Sequence, residues 1–292
     1  MKTITILSGK GGVGKSSIVA SLAITLSKNK KIICADCDVD ASNLGLVFGI
    51  KESDYEEWVE LSTAQKVEFD YNKCNSCKKC VSNCYFNAID FKNNKPLLKK
   101  FSCEGCGACE IVCPTSAIKL VDVINAKIGY AETKYKFKIV SAQLEMGESG
   151  SGKVVAEVKK KARKIAYDAD IMLVDSAAGI GCPVIASVTG SDYCILVAEP
   201  TPSSFFDLEK AYKIVKHFNI PVGIVINKFD INIEYCDKIK QFAKENKIII
   251  LETLSYDKNF VKALVNMTPV VEIDNKQKRL FDNISDKLLG EL

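Results

Sequence analysis

The sequence predicts an α/β protein, a mostly parallel sheet covered by helices on both faces, with a small cysteine-rich module inserted into it. Three observations carry this prediction. Short apolar runs alternate with longer amphipathic stretches at both ends of the chain, a glycine-rich loop follows the first apolar run directly, and eight of the 13 cysteines fall between residues 59 and 123. The 292 residues, 47% of them hydrophobic, suffice for one large core or two smaller ones. No apolar stretch approaches the roughly 18 residues of a membrane span. The opening segment MKTITILSGKGG has neither the apolar core nor the cleavage site of an export signal, so a cytoplasmic location is expected.

Taken in order, residues 3–8, 31–36, 171–175, 193–199, 222–227 and 247–252 read as buried strands. Between them, residues 15–28, 153–167, 203–218, 232–246 and 276–289 place apolar side chains at helical spacing. Strand–helix alternation of this kind builds a parallel sheet with both faces covered. The cysteine-rich stretch interrupts the alternation. The large domain is therefore expected to be discontinuous, residues 1–58 and 124–292, around an inserted domain at 59–123.

The loop from Gly9 to Ser16 satisfies G-x-x-x-x-G-K-[ST], with a strand before it and a helix after it. Glycines let successive backbone N–H groups curl around a phosphate, and the helix N-terminus adds positive potential. Gly9, Lys10, Gly11, Gly12, Val13, Gly14, Lys15, Ser16 and Ser17 are the expected ATP-binding residues. Lys15 would reach the β- and γ-phosphates, and the Ser16 hydroxyl would ligate Mg²⁺. A second match, Gly147 to Val154, has valine where the metal-ligating hydroxyl belongs and reads as a loop.

The string K-G-G-V-G-K-S at Lys10–Ser16 resembles the deviant Walker loop of the MinD/ParA family, which includes the nitrogenase iron protein. The resemblance implies a P-loop NTPase fold and an ATPase. It also implies a homodimer when ATP is bound, with Lys10 crossing to the partner's phosphates as a catalytic group beside Lys15. Asp36-Cys37-Asp38 is similar to the family's D-x-D switch. By that likeness Asp36 supports Mg²⁺ and Asp38 positions the attacking water. Ile171–Asp175 followed by Gly179 resembles the Walker B strand and second switch, with Asp175 reaching Mg²⁺ through water. Asn227 occupies the position that reads adenine in the family, although an asparagine capping a strand end would look the same.

The inserted segment repeats at an offset of 29. Cys74, Cys77, Cys80 and Cys84 recur as Cys103, Cys106, Cys109 and Cys113, each set followed by Ala-Ile. Each half reads C-x-x-C-x-x-C-x-x-x-C, a pattern that favours iron–sulfur clusters. Zinc, the other user of C-x-x-C pairs, is disfavoured by eight cysteines in this arrangement without histidine. The segment resembles a bacterial two-cluster ferredoxin, an α+β module. By that resemblance Cys74, Cys77, Cys80 and Cys113 hold one [4Fe–4S] cluster, and Cys84, Cys103, Cys106 and Cys109 the other. Tyr85 stands where the second half has Pro114. Val81, Phe86, Ile89, Ile111, Val112 and Ile118 are the expected core of the module.

Of the remaining cysteines, Cys182 follows Asp175 by seven residues, the spacing at which the nitrogenase iron protein carries a cluster-sharing cysteine. It is an expected extra cluster or redox ligand. Cys34, Cys37, Cys194 and Cys236 read as packing residues. The single histidine, His217, sits at a helix end and reads as a structural residue. Formal charge is +4, and two oxidised clusters at about −2 each bring it near zero. Nucleic-acid binding is therefore not expected. The terminal stretch after Lys276 reads as a packed helix rather than a membrane anchor.

The combined expectation is an ATP-driven dimer switch coupled to two clusters, gating electron transfer to a redox partner or iron–sulfur client. An iron–sulfur carrier or a MinD-like positioning ATPase is the alternative.

Overall fold

The computed structural model describes residues 1–148 and 151–292. The chain forms two compact units, one of Met1–Val59, Ile128–Gln143 and Gly150–Leu292, the other of Glu60–Lys127 and Leu144–Ser149.

In chain order the elements begin with β1 (Lys2–Ser8), α1 (Lys15–Ser27), β2 (Ile32–Cys37), α2 (Leu44–Val47), β3 (Glu56–Leu61) and β4 (Ala64–Phe69). The cysteine-rich segment supplies α3 (Lys79–Ser82), β5 (Ile89–Lys92), β6 (Lys95–Leu98), α4 (Ala108–Ile111) and β7 (Ile118–Val123). There follow β8 (Ala126–Glu132), β9 (Lys138–Leu144), α5 (Gly152–Ile165), β10 (Ile171–Ala178), α6 (Cys182–Val188), β11 (Tyr193–Ala198) and α7 (Pro202–His217). The chain closes with β12 (Val222–Asn227), α8 (Ile233–Glu245), β13 (Ile249–Leu254), α9 (Lys258–Val265) and α10 (Asn275–Glu291).

Among the described residues the main sheet has nine strands in the order β13-β12-β11-β1-β10-β2-β9-β8-β3. The pairings from β13 through to β9 are all parallel. Side-chain alternation divides the strands between two cores. On β11, Tyr193, Ile195 and Val197 enter the core shared with α1 and α10, while Cys194, Leu196 and Ala198 enter the core on the other face. Both faces being buried explains why these strands are continuous apolar runs rather than alternating ones. Helix α10 packs Phe281, Ile284 and Leu288 into the first core and pairs Asp282 with Lys28 at 2.7 Å. No helix of the described residues is long and apolar enough to cross a membrane.

All six expected strands and all five expected helices are present. The sheet also includes β3, β8 and β9, from a region read only as the surroundings of the insertion. Helices α2, α6 and α9 were not expected, being only four, seven and eight residues long. The Gly147–Val154 match includes Ser149 and Gly150, which lie outside the described residues. Its last three residues form the first turn of α5, where the Ser151 Oγ accepts the Val154 N–H at 3.4 Å.

The second unit repeats in backbone as well as sequence. Helices α3 and α4 are offset by 29 residues. Ser76 and Lys78 take φ of 60° each, and their counterparts Gly105 and Gly107 take 63° and 77°. Asn87 and Ser116 match at 51° and 50°. Strand β4 pairs antiparallel with β7, and β5 with β6. The small core comprises Val67, Ile89, Ile118, Cys80 and Cys109, with Val81 packed against it. Ile111 and Phe86, expected in this core, stand 85% and 43% exposed. Ile111 ends α4 at the position matching Ser82, which also faces solvent.

Candidate functional site

Strands β1, β10 and β2 are consecutive in the sheet, so the loops leaving their carboxyl ends converge, the general location of ligand sites in open α/β sheets. Register then places the acids. Asp175 on β10 is the direct neighbour of Asp36 on β2 and of Ile6 on β1. Beside them opens a cavity of about 470 Å³ lined by Gly11, Gly12, Gly14, Lys15, Ser16 and Ser17 of the loop. Asp38 and Asn43 of the β2–α2 connection line it too, and Leu46 of α2 and Leu264 of α9 add an apolar wall.

Gly14 caps α1 in the left-handed region at φ 95°, and a Cβ there would lie 2.6 Å from the Asn227 Nδ2. Only glycine lets the loop close over that side chain. A Cβ on Gly9 would overlap the backbone of Asp207 on α7, so this glycine serves packing.

Lys15 is buried, with its Nζ 2.5 Å from the Asp175 Oδ1 and 3.9 Å from the Asp38 Oδ2. Burial opposes the ammonium charge, but Asp175, Asp38 and Asp36 together hold its pKa above the ordinary lysine value. Asp36 is fully buried, and burial reinforced by the charge of Asp175 pushes its carboxyl up to about 7. Its oxygens accept the Ser42 hydroxyl at 2.8 Å and the N–H groups of Leu44 and Asp38 at 3.0 and 3.3 Å. Asp36 thus folds the connection that carries Asp38 to the cavity. Burial also raises Asp38, with Lys15 opposing. The buried Asp175 Oδ2 has no hydrogen-bond partner among the described residues. An acceptor oxygen held this way beside the phosphate loop fits a hydrated Mg²⁺.

Four expected ATP-binding residues lie off the cavity wall. Val13 is buried in the core. Asn227 is buried beneath the loop, where its Nδ2 donates to the Val13 carbonyl at 2.8 Å and its Oδ1 accepts the Lys228 N–H at 3.0 Å. Gly9 packs on α7. Lys10 is 39% exposed in its side chain and pairs with Glu199 at 3.3 Å. Glu199, which the sequence did not single out, joins Lys10 to Lys228 at the edge of the loop. Lys228 Nζ holds Glu199 at 3.0 Å and reaches the Gly12 carbonyl at 3.4 Å. Both sit at the carboxyl ends of expected strands, β11 and β12, and that position was the available signal.

In the second unit, two small cavities each gather four cysteines. One is lined by Cys74, Cys77, Cys80 and Cys113, the other by Cys84, Cys103, Cys106 and Cys109. The Ala88 N–H donates to the Cys84 Sγ at 3.2 Å, and its counterpart Ala117 N–H donates to the Cys113 Sγ at 3.2 Å. Such donors stabilise a sulfur that carries negative charge. Among the described residues no three His, Cys, Asp or Glu side chains are set to hold a single metal ion.

Cys34, Cys37, Cys194 and Cys236 are buried, and burial pushes all four thiols up. They are packing residues. Cys182 is exposed at the first position of α6. His217 is the last residue of α7, as its place in the sequence implies.

Residues 4–270 match the CobQ/CobB/MinD/ParA nucleotide binding domain. An uncharacterized protein of Methanocaldococcus jannaschii is 37% identical over 288 residues, spanning 98% of this chain and 95% of the relative. An iron-sulfur cluster carrier protein of the same organism is 22% identical, over 99% of this chain and 84% of its own length. The fold is similar to that of the septum site-determining protein MinD of Pyrococcus horikoshii, solved with Mg-ADP, with TM-score 0.61 and 17% identity over 98% and 95% of the two chains. By the match over residues 4–270, the chain belongs to the CobQ/CobB/MinD/ParA nucleotide-binding family.

Proposed function

We propose that this protein is a Mg²⁺-dependent ATPase that carries two [4Fe–4S] clusters and gates electron transfer to a partner through ATP-dependent dimerisation. The observation that carries the proposal is the grouping of the cysteines. Each cavity collects three cysteines from one half of the repeat and the fourth from the other half, the arrangement of two-cluster ferredoxins. When bound, the clusters supply one-electron storage.

The protein's own residues do the rest. Backbone N–H groups of the Gly9–Ser17 loop and Lys15 bind the phosphates, while Ser16 holds Mg²⁺ with Asp175 and Asp36 behind it. Asp38 orients water. Lys10 exchanges Glu199 for the phosphates bound by the partner subunit, and Lys228 retains Glu199 when it leaves. Asn227 holds the loop from beneath, its Nδ2 donating to the Val13 carbonyl.

Coupling of 1–3 kcal/mol, typical between linked sites, changes a partner affinity by about 5–150-fold. The test is oxygen-free purification followed by EPR spectra and midpoint potentials without nucleotide, with ADP and with a non-hydrolysable ATP analogue. ATP-dependent potentials, or ATP-dependent partner reduction, support gating. Spectra, potentials and partner reduction that all ignore nucleotide refute it.

A second reading, cluster delivery, is favoured by the exposed Cys182 and by the likeness to an iron-sulfur cluster carrier protein. It requires a labile cluster that Cys182→Ser abolishes.

A further inference from the structure

The two cysteine cavities share four cysteines, an alanine and an isoleucine at matching positions of the repeat and differ in the rest of their lining. Matching cysteines share the same degree of exposure: Cys74 and Cys103 are half-buried, Cys77 and Cys106 exposed, Cys80 and Cys109 buried, Cys84 and Cys113 half-buried. The Ala88 and Ala117 N–H groups match, each 3.2 Å from the sulfur of Cys84 and Cys113. Solvent access, one of the usual determinants of cluster potential, is therefore balanced between the halves, while the Cys113 sulfur accepts more backbone N–H groups than its counterpart.

Charge is not balanced. Lys78 lines the cavity of Cys74, Cys77, Cys80 and Cys113, with its Nζ 4.9 Å from the centre of the Phe91 ring. Its counterpart in the other cavity is Gly107. Glu104 lines the cavity of Cys84, Cys103, Cys106 and Cys109, and its counterpart in the first is Asn75. Lys78 holds φ at 60°, a conformation for which a side chain is a cost and glycine is the unstrained choice, as at Gly107. The lysine is thus present despite its backbone. A hydroxyl adds to the asymmetry in the same sense. Thr115 Oγ1 lies 3.8 Å from the Cys113 Sγ, and its counterpart Phe86 has no donor. Nearby Lys73 and Lys99 are paired with Asp70 and Asp90 and contribute little net charge.

We infer that Lys78, Thr115 and Glu104 make the two sites unequal, so that an added electron rests at the site of Cys74, Cys77, Cys80 and Cys113. This rests on the proposed presence of two [4Fe–4S] clusters. An added electron makes a cluster more negative, which a facing ammonium and a donor hydroxyl favour and a facing carboxylate opposes. One electron leaves the reduced site beside Glu104, which returns to its oxidised level, and reduces the site beside Lys78. No atom or proton moves.

The experiment is an EPR-monitored redox titration of the full chain, purified without oxygen and poised with dithionite and mediators. Iron and sulfide content are measured on every sample. The wild type is expected to show two midpoints separated by at least about tenfold in electron occupancy, or about 59 mV for a one-electron couple. Lys78→Gly lowers only the higher midpoint, Glu104→Asn raises only the lower one, and the double variant brings them together. Because both side chains are exposed, added salt narrows the wild-type gap. Lys78→Gly relaxes the backbone, so its loaded form folds. Two loaded clusters with coincident midpoints, or a gap that both substitutions leave unchanged, overturn the inference alone. Protein that holds no iron–sulfur cluster under these conditions overturns the reading beneath it as well.

Discussion

Replacing Asn227 by alanine separates the two roles this residue can play, holding the loop and reading the base. The side chain is 4% exposed. Its Nδ2 satisfies the Val13 carbonyl, its Oδ1 accepts the Lys228 N–H, and it fills the space against which Gly14 turns. Truncation leaves two backbone groups without these partners. A buried group stranded in this way costs about 1–3 kcal/mol, so a total near 2 kcal/mol is expected after partial relaxation. For a unit of this size that is a fall of about 4–8 °C in Tm. The loop must be reordered before it can cradle a phosphate, so nucleotide affinity falls by about 30-fold. The geometry places the loss on the phosphate side of the ligand, and ADP and GDP are therefore expected to weaken alike. Thermal denaturation and calorimetric titration with both nucleotides measure it. Unchanged stability with unchanged ADP affinity refutes the reasoning, and a collapse of ADP over GDP preference with stability intact would assign Asn227 to the base instead.

Asp175→Asn leaves the Lys15 ammonium buried without its closest counter-charge. It is expected to destabilise by about 3–5 kcal/mol in chemical denaturation, whereas Asp38→Asn, 3.9 Å away and partly exposed, costs far less. Lys159 is buried on α5 and donates to the carbonyls of Ala186, Ser187 and Thr189 at 3.1, 2.6 and 2.7 Å, closing the end of α6. Lys159→Met is expected to lower stability by about 2 kcal/mol, and an unchanged denaturation midpoint would remove this anchoring role. Under native conditions a thiol reagent is expected to modify Cys182 readily, while Cys34, Cys37 and Cys194 react only on unfolding. Peptide mass spectrometry reads this directly, and native labelling of Cys37 would contradict its burial. Gly14→Ala forces a side chain into the Asn227 amide at positive φ and is expected to abolish phosphate binding without loss of the two cysteine cavities, which a nucleotide titration beside an iron assay tests.

Much of this protein was legible in the sequence because its strongest signals are local. A buried parallel strand needs an unbroken apolar run, as in Val222–Asn227, and a phosphate loop needs glycines at fixed spacing before a helix. The repeat of 29 residues was equally local, and the matching φ angles of Ser76 with Gly105 and Asn87 with Ser116 are its backbone counterpart. Short or exposed elements escaped. β3 carries no fully buried residue, and α9 is amphipathic over only two turns, so neither produced a periodic signal.

Periodicity and spacing determined the α/β architecture, the loop and the cysteine repeat, whereas the roles of the acids and the division of the cysteines into two sets came from the resemblance to known families. Sheet order decided what the loop and the acids do together. Placing β10 between β1 and β2 put Asp175 beside Asp36 and within reach of Lys15, residues separated by up to 160 positions along the chain. The same packing turned Asn227 under the loop and tied Lys10 and Lys228 to Glu199. A side chain's partner across the sheet depends on register and strand order, which are fixed by burial of both faces at once and leave no trace in the spacing of neighbouring residues.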